Sequence, residues 1–119
     1  MTIRGGTAII LIMAKKLPFA VIYDPDVARH LASIERKYHS LIRTTVENQL
    51  QFEPEAVTRN RKPLALPVET GARWELRFGP DNRFRVFYRV NVEQRQVRIL
   101  AVGVKRRNRL FLGGEEVEL

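Results

Sequence analysis

The chain has 119 residues, a formal net charge of +8 from 21 Lys and Arg against 13 Asp and Glu, and no cysteine. One domain with its own core fits that length, and 45% hydrophobic residues exclude a disordered tail. Lack of cysteine excludes a disulfide scaffold, a thiolate zinc site, an iron–sulfur cluster and a thiol nucleophile, while the excess of cations points to an anionic partner.

Taken in chain order, Thr7–Ala14 is apolar but far shorter than the roughly 20 residues that span a bilayer. Lys15-Lys16 follows where a signal peptide would place its cleavage region. Residues 1–17 therefore read as an N-terminal extension, with Met13 as the natural start, on a cytoplasmic protein without a membrane anchor. Phe19–Tyr23 is a short β-prone run that stops at Asp24-Pro25-Asp26. That triplet is a helix start, with Asp24 as cap, Pro25 at the first position and Asp26 in the positive first turn. Val27, Leu31, Ile34 and Tyr38, then Leu41, Ile42, Val46 and Leu50, recur near the helical period. They predict a helical hairpin over 25–38 and 40–52, with Ser40 capping its second helix and Pro54 ending it.

Thr58–Pro63 is basic and turn-rich, too polar for a core element, and reads as a connection. Three β-like runs follow. Arg73–Phe78 and Arg83–Val90 alternate with period two around the turn chemistry of Gly79-Pro80-Asp81-Asn82, and Val97–Val104 is apolar enough for a strand covered on both faces. The fold class is α+β, a small antiparallel sheet packed against an N-terminal two-helix hairpin, in one domain over 18–112. An acidic tail over 113–119 reads as a solvated end, a short edge strand or a shield folded over the basic face.

Charge follows this division. Residues 1–57 hold 7 basic and 6 acidic side chains, whereas 58–112 hold 14 basic and 4 acidic ones. Trp74, Leu76, Phe78, Phe84, Val86 and Tyr88 should face the helices. The other face then gathers Arg73, Arg77, Arg83, Arg85 and Arg89. Like charges facing each other across strands destabilise a sheet, so that face calls for an anion.

Catalytic alternatives are few. His30 and His39 lie nine residues apart, on roughly opposite faces of helical structure, and read as surface or boundary residues rather than metal ligands. Neither Ser33 nor Ser40 has the partners of a nucleophilic triad, and neither Gly5-Gly6 nor Gly113-Gly114 makes a phosphate loop. What remains is Lys62, Arg77, Arg85, Lys105 and the run Lys105–Arg109. Such cations can hold an RNA backbone. They can also stabilise the charge that builds on phosphoryl oxygens when a 2′-hydroxyl attacks its own phosphate, a reaction that needs no metal or other cofactor.

Arg73-Trp74-Glu75-Leu76-Arg77, then Arg83–Tyr88, then Ile99–Arg106 resembles the RelE/ParE superfamily of bacterial type II toxins. The order of strand, helical hairpin and three strands resembles it too, over residues 18–112. The resemblance implies a cytoplasmic toxin neutralised by a cognate antitoxin. It also implies one of two activities: ribosome-associated mRNA endoribonuclease, which represses translation, or non-enzymatic inhibition of DNA gyrase. A degenerate member that only binds RNA or antitoxin is a third reading. On the endoribonuclease reading, Arg77 and Arg85 match the arginines on the scissile phosphate, Lys105 the basic residue on the leaving side, and Lys62 a basic-loop residue with a proton-carrying role. Arg59, Arg61, Arg73, Arg83, Arg89, Arg106, Arg107 and Arg109 are the expected RNA-backbone contacts. One position departs from the pattern: Phe111 lies where RelE-like members carry a catalytic tyrosine, and phenylalanine cannot transfer a proton. Tyr88 offers no replacement, since strand parity turns it into the core.

Overall fold

The computed structural model describes residues 17–65 and 71–118. The expected extension lies outside them except for Leu17, so neither the extension nor the Met13 start is addressed by the fold. Strand β1 (Ala20–Tyr23) leads into helix α1 (Asp26–Ala32). The helix begins one position later than expected, with Pro25 rather than Asp24 at its cap, while the Asp24 carboxylate just before it accepts from the Asp26 amide at 3.2 Å. The first helix is shorter than its periodicity suggested. The Ser33 hydroxyl donates back to the His30 carbonyl at 2.7 Å, and Glu35 is extended. A single 3₁₀ turn (Arg36–Tyr38) then feeds helix α2 (His39–Leu50). Ser40 is thus inside α2 rather than capping it.

The remaining elements are strands β2 (Arg61–Pro63), β3 (Trp74–Phe78), β4 (Phe84–Asn91), β5 (Gln96–Arg106), β6 (Arg109–Leu112) and β7 (Glu115–Val117). They run in the order β2-β3-β4-β5-β6-β7, each antiparallel to its neighbour. One pair is parallel: β1 lies along Gln96–Ile99 of β5, on the edge whose other end, Gly103–Arg106, takes β6. Arg61–Pro63, expected as a loop, is an edge strand with Pro63 as its last residue, where a missing N–H costs least. Glu115–Val117 is also an edge strand, the second of the three readings of the tail.

The main core lies between the helices and one sheet face. Val27, Ile42, Val46 and Leu50 meet Leu76, Phe78, Phe84, Val86 and Tyr88, as the alternation required. On β5 the alternation breaks. Phe87 faces Ala101 and Tyr88 faces Ile99, leaving Leu100 as a bulge, so Val97 and Ile99 share the core face with Val102 and Val104. The other sheet face carries a smaller cluster of Ala72, Phe87, Leu100, Ala101 and Leu110. It divides the arginine face expected from the sequence into two ends.

His30 corrects another expectation. It is a core residue, and its Nδ1 accepts the Val102 amide at 3.2 Å. That amide lies on the stretch of the β5 edge between β1 and β6, where neither strand supplies a carbonyl.

Candidate nucleic-acid interface

Strand register builds the site. On the face away from the helices, Lys62 stands opposite Glu75, and Glu75 opposite Phe87. In the next row along the same face, Arg77 stands opposite Arg85, and Arg85 opposite Gly103. One row further, the Lys105 amide donates to the Arg83 carbonyl at 2.7 Å. Lys62, Arg77, Arg85 and Lys105 therefore share one face, because each differs from its neighbour by an even step along a strand or by a direct cross-strand pairing.

An internal anion holds this row together. One Glu75 oxygen accepts from Arg77 Nε at 2.8 Å, and the other lies 3.5 Å from Arg85 Nη1. Arg85 Nε also donates to the Asn82 carbonyl at 3.0 Å, and the Arg77 amide donates to the Asn60 carbonyl at 2.9 Å. Arg85 is buried and fixed by two elements, whereas the Arg77 side chain is 36% exposed. The carboxylate balances one of the two guanidinium charges, so the pair keeps a net positive charge for a phosphate. Glu75 is the member of this cluster that reading the arginines alone passes over. Its position two residues from Arg77, on the same face, was the signal available.

Beside Arg85 the sheet end opens into a cleft of about 660 Å³ between the Ser33–Tyr38 segment and the turn at Arg107-Asn108. Arg83, Arg85, Lys105, Arg106 and Arg107 line it, with Glu35 and Asp81 as the acidic members.

Other expected contacts are dispersed. Arg73 and Arg89 are exposed, and Arg89 pairs in register with Arg98 at the far end of the face, beyond the apolar cluster. Arg61 is turned to the helix side by its pairing with Leu76 and is buried, donating to the Glu53 carbonyl, so it does not stand with the surface cations. Arg59 is exposed in the turn before β2. Arg109 pairs with Glu116 at 3.7 Å, and the Arg106 guanidinium lies 5.7 Å from the Phe111 ring. Phe111 pairs with Val104 and so sits on the helix-side face, opposite the arginine row. Tyr88 is structural as expected: its hydroxyl donates to the Pro54 carbonyl at 2.7 Å, and burial pushes its pKa far above the ordinary tyrosine value.

The sequence matches no protein-family model and no curated protein. The structure is similar to the crystal structure of the toxin–antitoxin complex RelBE2 from Mycobacterium tuberculosis, with a TM-score of 0.61 and 25% sequence identity over 75% of this chain and 93% of that one. The fold is thus that of the RelE-like toxins, in agreement with the strand motifs that resemble the RelE/ParE superfamily.

Proposed function

We propose that the chain is the toxin of a type II toxin–antitoxin module and acts as a ribosome-associated mRNA endoribonuclease that represses translation. The observation that carries this reading is the juxtaposition of Arg77 and Arg85 around Glu75, with Lys62 and Lys105 on the same face. In the proposed reaction a ribose 2′-oxygen attacks the adjacent phosphorus as its proton passes to water. The bond to the 5′-oxygen breaks, and that oxygen takes up a proton from water. The products are a 2′,3′-cyclic phosphate and a 5′-hydroxyl. Arg77 and Arg85 stabilise the non-bridging oxygens, where charge grows most in the transition state. Lys105 attends the leaving oxygen. Lys62, exposed on the same face, serves to hold the backbone and is the candidate proton carrier.

The partner is a cognate antitoxin, by likeness to RelBE2, which is a toxin–antitoxin complex. A net charge of +8 suits an acidic partner segment. Gyrase inhibition requires no such arrangement of cations. Brief induction in a bacterial host followed by mapping of mRNA 5′ ends tests the activity. New ends within translated messages, absent with Arg77→Ala, support it; growth arrest with intact transcripts and blocked replication refutes it.

A further inference from the structure

The cleft next to Arg85 combines two features that single-stranded nucleic acid requires. Cations outnumber acids on its lining by five to two, and one aromatic ring is available at its wall. That ring is Tyr38. Phe84 also lines the cleft but is 1% exposed, whereas Tyr38 is half-buried. The other two tyrosines have no such position: the Tyr88 hydroxyl is bound to Pro54, and the Tyr23 hydroxyl is buried.

Tyr38 is also held in place. It sits in the 3₁₀ turn between the two helices, and its ring meets Phe84 edge-on, with centroids 5.1 Å apart and an interplanar angle of 61°. This T-shaped contact fixes the position of the ring at the cleft wall. The Lys37 ammonium stands 5.1 Å from the ring centroid, tethered to exposed Glu35 at 3.6 Å. Such a surface pair is weak enough to yield the ring to a flat, more polarisable group.

We infer that this cleft is a nucleotide subsite, in which a base of single-stranded RNA stacks on Tyr38 while the adjoining phosphate rests between Arg85 and Lys105. The inference rests on the endoribonuclease reading and adds to it a site for the base beside the cleaved bond. Register couples the two parts: Arg85 belongs both to the Glu75 row and to the cleft wall, so a chain crossing that row enters the cleft at its next nucleotide.

The test measures binding of a short fluorescent oligouridylate, and of the same oligomer with one abasic position, to the intact protein at low salt. Tyr38→Ala and Tyr38→Leu each weaken binding of the full oligomer by about tenfold, and Tyr38→Phe stays within about twofold. Tyr38→Leu preserves apolar contact with Phe84, which separates loss of the stacking face from loss of the fold. On the abasic oligomer the wild type and all three variants bind alike. Unchanged binding by the Ala and Leu variants, with binding lost in Arg77→Ala, overturns the subsite and leaves the RNA reading standing. Loss in Tyr38→Phe equal to that in Tyr38→Ala overturns stacking in favour of the hydroxyl. A wild type that does not bind the oligomer overturns the subsite, and a wild type that also gives no new mRNA 5′ ends on induction overturns the endoribonuclease reading as well.

Discussion

Arg77 and Arg85 stand directly opposite each other on neighbouring strands, an arrangement that repels, and the Glu75 carboxylate reaches both guanidiniums from the adjacent row. Glu75 and Arg85 are nearly buried, at 10% and 11% side-chain exposure, so water screens their attraction poorly. Removing the carboxylate leaves two like charges face to face. Glu75→Gln should therefore lower the free energy of unfolding by about 2 kcal/mol, measured by urea titration. Added polyphosphate should then restore more stability to the variant than to the wild type. Equal anion stabilisation of both proteins would show that Glu75 does not occupy the place of a phosphate.

The two arginines have different structural duties, and their substitutions should separate accordingly. Arg77 has a side chain that is 36% exposed, and Glu75 is its side-chain tie. Arg77→Ala should reduce RNA cleavage by about 10²-fold with little change in thermal stability. Arg85 additionally secures the Asn82 carbonyl in the β3–β4 connection. Arg85→Ala should lose as much activity and also melt earlier, as seen by circular dichroism. Equal melting of the two variants would mean that the Asn82 bond contributes nothing to the fold.

The strand pattern was legible because side chains alternate strictly. Trp74, Leu76, Phe84, Val86 and Tyr88 each lie on the face that the period of two assigned them. Legibility failed where an interaction came from outside the local pattern. Nothing near Leu100 marks a bulge, since every residue from Ile99 to Val104 is apolar or glycine and suits either face. Arg61 looked like a surface cation because its burial depends on pairing with Leu76, a partner fifteen residues away. His30 looked like a boundary residue because the amide it satisfies belongs to Val102, far along the chain. The site itself was half legible. Arg77 and Arg85 could be named from alternation and Lys62 and Lys105 from elimination and resemblance, but Tyr38 joins them only through the packing of the helical segment on the sheet end.

His30 carries a pH dependence. Burial and the neighbouring Arg29 lower its pKa, with Asp26 and Asp24 opposing weakly, so the folded state favours the neutral ring. Neutrality is also required by geometry, since Nδ1 must accept the Val102 amide. A depressed folded pKa means that the unfolded chain binds more protons. The contribution is then complete above the ordinary histidine pKa of about 6.5 and is lost as pH falls below it. Urea unfolding should show stability declining from about pH 6.5 downward. His30→Leu should be less stable at neutral pH, because the Val102 amide loses its acceptor, and its decline over the same range should be shallower. Parallel curves for both proteins would assign the pH dependence to other groups.

Gly103 occupies the row of Arg77 and Arg85 and is the first residue of β5 to pair with β6, opposite Leu112. A Cβ built there would lie 2.7 Å from Leu112 Cδ2, 2.8 Å from Leu110 Cδ1 and 3.1 Å from the Phe111 carbonyl oxygen. The two leucine tips can swing away, but the carbonyl belongs to the sheet ladder and cannot. Relief must come from a shift of β6 relative to β5. Gly103→Ala should destabilise by about 1–3 kcal/mol. It should also weaken RNA binding beyond what partial unfolding explains, because Arg85 is the cross-strand neighbour of Gly103. The matched control is Ala101→Gly, one row away and outside the strand pairing with β6. That change should lower stability through the lost methyl and the looser backbone while leaving the affinity of the folded fraction unchanged. Equal affinity in folded Gly103→Ala and wild type would mean that the arginine row tolerates displacement of β6.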